Sequence, residues 1–156
     1  MTRITGGCQC GAVRYACDTL DKASICHCRM CQKASGGYFA PFSVAQGLVW
    51  TRGEPKRFAS SNMARRGFCA DCGTPLTYEY DDVIDVSLGS LDDPAAFPPI
   101  VQIGLESRLA FVADLPALPV RDLATSAESA AFLAQVISRQ HPDHDTEVWP
   151  PADRTP

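Results

Sequence analysis

Residues 6–15 read GGCQCGAVRY, and the reading of this stretch decides the fold. Cys8 and Cys10 stand one residue apart among Gly6, Gly7 and Gly11. A Cys-x-Cys spacing sends its side chains to opposite ends of a turn unless the backbone bends, and glycine permits the bend. Residues 11–17, GAVRYAC, then set Val13, Tyr15 and Cys17 against Arg14 and Ala16, the alternation of a half-buried strand. A ligand turn feeding a strand needs a second ligand pair elsewhere. Residues 68–76, FCADCGTPL, supply one in Cys69 and Cys72, with Gly73 suited to the positive φ that such a turn often takes. Four thiolates close a tetrahedral zinc site with Zn–S bonds of about 2.3 Å. Such a structural site stitches the N-terminal turn to the middle of the chain.

The chain between the two pairs reads as short strands. GYFAPFSVA and LVWTRG flank a turn at Gln46-Gly47, and another strand starts at Phe58. PLTYEY and VIDVSLGSL flank Asp81-Asp82, a hairpin signal. From Arg3 to Leu91 the expectation is β-rich. DDPAAFPP follows as a proline-rich loop with one helical turn. A helix is expected near the end, capped by Thr125 with Glu128 three residues on and carrying Phe132, Leu133, Val136 and Ile137 as a core-facing stripe. The tail from His141 is rich in proline and acid and reads as loose or extended, a poor place for His141 or His144 to bind a metal.

At 156 residues the chain fits one domain with a substantial core. The net charge of −4 and a pI near 5.2 argue against nucleic-acid partners, which require a basic face. No apolar stretch reaches membrane-spanning length, and MTRITGGCQC lacks a signal-peptide run. A cytoplasmic location follows as an expectation. Eight cysteines there point to metal binding or thiol chemistry rather than disulfides.

Residues 25–37, ICHCRMCQKASGG, place Cys26, Cys28 and Cys31 where one short loop can present three sulfurs to a single ion. His27 and Cys17 are candidates for a fourth ligand. The leading reading leaves that position open, the arrangement of catalytic zinc. Three thiolates leave Zn²⁺ with a formal charge of −1, which suits it to a soft fourth ligand such as a substrate thiol. Gln32, Lys33, Ser35 and the Gly36-Gly37 backbone are candidates for an anion-binding mouth.

GGCQCGAVRY, CHCRMCQKASGG, RRGFCADCGTPLTY and VSLGSLDDP, in this order, closely resemble the glutathione-dependent formaldehyde-activating enzyme family, the CENP-V/GFA domain family. The resemblance runs from about Gly6 to Pro116. It implies a mainly β, Mss4-like (β-tent) fold of coiled antiparallel sheets. It implies a structural zinc on Cys8, Cys10, Cys69 and Cys72 and a catalytic zinc on Cys26, Cys28 and Cys31. It also implies a carbon–sulfur lyase that joins glutathione, or a similar small thiol, to formaldehyde or another small aldehyde. The sequence departs from the family in its closing segment, with Gln102 or a neighbour where a histidine is expected and Phe111 where tryptophan is common. Residues 1–120 would form the zinc-binding domain, with 121–156 as a terminal helix and flexible tail packed on it. Glutathione carries two carboxylates, so cationic contacts are expected from Lys33, Arg65, Arg66 and Arg29. Two other readings compete: a non-catalytic zinc-stabilised binding module, and a thiol redox sensor built on Cys26, Cys28 and Cys31.

Overall fold

A computed structural model describes residues 3–150. In chain order its elements are β1 (Ile4–Gly7), β2 (Arg14–Cys17), β3 (Thr19–Cys26), α1 (Arg29–Ser35), β4 (Ala40–Gln46) and β5 (Val49–Arg52). Then come β6 (Lys56–Ala59), β7 (Ala64–Phe68), β8 (Pro75–Tyr80), β9 (Val83–Ser87), β10 (Val101–Ile103) and α2 (Ala127–Leu133). The fold is mainly β, as expected. Among the described residues the ten strands form two sheets, of order β1-β2-β5 and β10-β3-β4-β9-β8-β7-β6. The pairings are antiparallel with one correction: β10 runs parallel to β3, with Gln102 beside Ile25 and Ile103 beside Cys26.

The turn chemistry acts as read at Asp81, which takes a positive φ of 47° and joins β8 to β9 as a two-residue hairpin with Tyr80 opposite Val83. Gly47 also takes a positive φ, but β4 and β5 leave that turn for different sheets. The half-buried pattern proposed for β2 needs correcting, because all four of its residues are buried. Arg14 is buried because Asp92 receives two hydrogen bonds from it, at 2.7 and 2.6 Å, and Asp145 a third at 2.8 Å. A buried guanidinium is tolerated when its donors are matched in this way.

Two hydrophobic clusters follow. The larger holds Cys8, Val13, Tyr15, Cys69, Leu76, Val86, Leu88 and Leu91. The smaller holds Cys31, Ala40 and Phe42, with Cys26, Cys28 and Tyr78 against it. Register places one row of side chains across the second sheet: Val44, Asp85, Tyr78, Arg66 and Phe58, one from each of β4, β9, β8, β7 and β6. Paired residues share a face, so this row forms a floor beside the smaller cluster.

The C-terminal region departs most from expectation. Ser126, not Thr125, caps α2, and its hydroxyl accepts from Ser129 N. The helix ends at Leu133, and Phe132, Val136 and Ile137 are exposed rather than core-facing. The tail beyond is not loose. His141 is 3 % exposed, and its N–H donates to Gln9 O at 2.7 Å. Trp149 Nε1 donates to Cys10 O at 2.8 Å, and Arg52 donates to Thr146.

Candidate metal centres and the adjoining cleft

The four cysteines of the first group come together as their spacing suggests. The sulfurs of Cys8, Cys10, Cys69 and Cys72 all lie within 4.8 Å of one another. Cys8 and Cys10 are 3.5 Å apart and Cys10 and Cys69 3.8 Å. Tetrahedral thiolate ligation with bonds of about 2.3 Å requires sulfur separations of roughly 3.8 Å, and these two separations are close to that value. None of the eight cysteines is in a disulfide. Cys8 Sγ accepts from Val13 N at 3.3 Å, and Gly73 takes a φ of 77° after the second pair.

The second group is built differently from the loop first envisaged. Cys26 ends β3, Cys28 is the N-cap of α1, and Cys31 lies in its first turn. Cys28 Sγ accepts from Cys31 N at 3.4 Å, an N-cap made with sulfur. Gly36, with φ 68°, ends the helix in a left-handed cap. Gly104 closes the approach from β10: it also has φ 68°, and a Cβ there would lie 2.8 Å from Cys28 N. The three sulfurs lie within 4.8 Å of one another. Burial pushes the Cys26 thiol up to about 12. Burial acts the same way on Cys28, but donation from Cys31 N and the neighbouring sulfurs outweighs it and lowers the pKa.

Neither candidate fourth ligand joins the trio among the described residues. His27 is 1 % exposed, and its Nε2 meets Gln102 Oε1 at 2.9 Å. Gln102 on β10 thus pairs with the ring of the buried His27. Cys17 is fully buried on β2. The three sulfurs instead line a cleft of about 280 Å³. Its walls include Met30, Phe42, Tyr78, Tyr80, Asp85 and Ile103.

Arg66 is the expected cation that reaches the trio. Its Nη2 donates to Cys31 Sγ at 3.2 Å and its Nε to Ser60 Oγ at 2.9 Å. The guanidinium lies 4.8 Å from the centre of the Tyr78 ring, a cation–π arrangement. The other expected contacts fall elsewhere. Arg65 sits on the opposite face of β7, 3.6 Å from Glu79. Lys33 is exposed in a neighbouring groove with Met30 and Ser60. Arg29 donates to Gln32 Oε1. Gln32 is buried and donates to the carbonyls of His27 and Ser107, so it braces the loop rather than an anion mouth. Ser35 Oγ serves the end of α1 through Gln32 O, Phe39 O and Gly37 N. Asp85, Tyr78 and Ser60 were missed from the sequence. The one available signal was Asp85 itself, a carboxylate flanked by Ile84 and Val86.

A mainly β scaffold with one closed four-thiol cluster and one three-thiol cluster opening on a cleft defines a candidate two-centre metalloprotein. The sequence profile described as glutathione-dependent formaldehyde-activating enzyme matches residues 3–107, and the chain belongs to that family. A Schizosaccharomyces pombe protein named as an uncharacterized lyase is 35 % identical over 82 residues, covering 51 % of this chain and 60 % of the relative. A Rhodobacter sphaeroides protein of known crystal structure superposes with a TM-score of 0.50 at 22 % identity, over 63 % of this chain and 98 % of that one, a likeness of fold. No helix among the described residues is long and apolar enough to cross a membrane.

Proposed function

We propose that the protein is a zinc-dependent carbon–sulfur lyase that joins a small thiol, glutathione or a relative of it, to formaldehyde or another small aldehyde. The observation that carries this reading is the cleft onto which Cys26, Cys28 and Cys31 open with no fourth protein ligand among the described residues. Family membership and the lyase-named relative support it. In this reading Cys8, Cys10, Cys69 and Cys72 hold a structural zinc and Cys26, Cys28 and Cys31 a catalytic one. Bound zinc would keep an incoming thiol deprotonated near neutral pH. The chain's own residues do the rest. Arg66 places positive charge beside Cys31, and Phe42, Tyr78 and Ile103 give the cleft apolar walls. The cleft walls hold thiol and aldehyde adjacent, so orientation supplies much of the rate gain. We assign Lys33, exposed in the groove that shares Met30 and Ser60 with the cleft, to a carboxylate of glutathione, while Arg66 keeps to Cys31 and Ser60.

Cobalt substitution tests this reading. The loaded protein should show two cobalt ions per chain by absorption, and glutathione should change the bands of one. Cobalt confined to the four-cysteine site, or bands indifferent to every thiol, would favour a binding module.

A further inference from the structure

We propose that Asp85 forms a subsite for a cationic amine, so that the thiol accepted by the three-cysteine cleft carries a protonated amino group. This inference rests on the thiol-binding reading above and narrows its substrate class.

Asp85 is the single carboxyl among the residues lining the cleft. It is half-buried on β9, directly opposite Tyr78. Among the described residues it forms no ion pair and accepts no hydrogen bond, whereas Asp92 and Glu79 are both matched by arginine. A half-buried carboxylate without a partner is partly desolvated, and an incoming cation would offset that cost. The one guanidinium in the cleft cannot do so, since Arg66 is committed to Cys31 and Ser60.

The surroundings match an ammonium ion. Tyr78 and Tyr80 pack 5.5 Å apart, and the charge of Asp85 acts on both phenols. Aromatic faces beside a carboxylate attract an alkylammonium through the ring quadrupole as well as the charge. The charge balance points the same way. Three thiolates on a dication carry a net negative charge, which Arg66 offsets, and Asp85 then leaves the cleft anionic. A protonated amino group on the bound thiol, such as the one glutathione carries, is favoured there. Burial pushes the Asp85 carboxyl up to about 6, as expected of an unpartnered site.

The test uses the cobalt-loaded full chain and reads the thiolate–cobalt band during titration with cysteamine, N-acetylcysteamine and 3-mercaptopropionate. Because these thiols differ in acidity, the informative quantity is how their affinity ratio changes on substitution. The preference for cysteamine over N-acetylcysteamine should fall about tenfold in Asp85→Asn, the effect of losing one partly desolvated charge pair, and Asp85→Glu should keep part of it. Independently of any variant, raising salt should weaken cysteamine binding to the wild-type protein and leave N-acetylcysteamine unchanged. If the probes shift the band but the ratio survives Asp85→Asn and salt affects both alike, the amine subsite is overturned and the thiol site stands. If no probe shifts the band of the three-cysteine site, both are overturned.

Discussion

Arg66 Nη2 donates to Cys31 Sγ at 3.2 Å, with its guanidinium stacked on Tyr78. A cation so placed stabilises thiolate and orients the ligand, and outer partners of this kind typically contribute about 10–100-fold to metal affinity or activity. Arg66→Met should therefore lower the affinity of the three-cysteine site by about that factor and spare the four-cysteine site. Arg65→Met, on the opposite face, should change neither. Competitive chelation followed by absorption would decide it; equal effects from the two arginines would refute the assignment.

The two centres should differ in what they do for the fold. The four-cysteine group lies in the larger core cluster and ties β1 and β2 to β7 and β8, so its metal should be coupled to folding. Cys72→Ser should abolish a cooperative thermal transition. Cys28→Ser should leave the far-ultraviolet circular dichroism native and remove only the second metal.

Asp85 should make stability fall as pH rises. Its folded pKa of about 6 lies above its ordinary 3.8, so between these values the folded state binds the extra proton. The folded state is relatively favoured below about pH 4, and that advantage is gone above pH 6. Solvent screening of a half-buried group limits the effect to on the order of 1 kcal/mol. Asp85→Asn should thus raise the melting temperature at pH 7.5 and have little effect at pH 3.5. A loss of stability at pH 7.5 would show that the carboxylate has a partner in the fold.

Asp92 should act in the opposite sense. Burial alone would raise its pKa, but the bonds from Arg14 and Thr5 outweigh it and hold it below 3.8. Its contribution is present above that value and lost as pH falls through the lower folded one. Removing one partner of this buried pair by Arg14→Ala should cost about 3–5 kcal/mol in urea unfolding. Deleting residues 140–156 should destabilise the chain as well, since Asp145 pairs with Arg14 and Trp149 caps the Cys10 carbonyl. An unchanged midpoint after that deletion would mean that the tail adds nothing to the fold.

Both cysteine groups were legible in the sequence because ligand spacing and neighbouring glycines are local properties. Cys8-Gln9-Cys10 and Cys69 to Cys72 declare themselves as pairs, and any compact fold that satisfies four thiols must join them. Hairpin chemistry at Asp81-Asp82 was equally local. The helix at Arg29–Ser35 was not, because its N-cap is a cysteine rather than a serine or aspartate, and the ligand motif masks the capping signal. The tail misled for the opposite reason. Its composition resembles a solvated segment, yet His141, Asp145 and Trp149 each find a specific partner near the first turn.

By itself, then, the sequence determined which sulfurs could share a metal and that the scaffold would be β. Only the tertiary structure decided which charges face the cleft. Arg65 and Arg66 are indistinguishable as neighbours, and Asp85 is one acid among many, until strand register aligns Asp85, Tyr78 and Arg66 across β9, β8 and β7. Because side chains alternate faces along a strand, a slip of one residue would have sent all three away from the sulfurs.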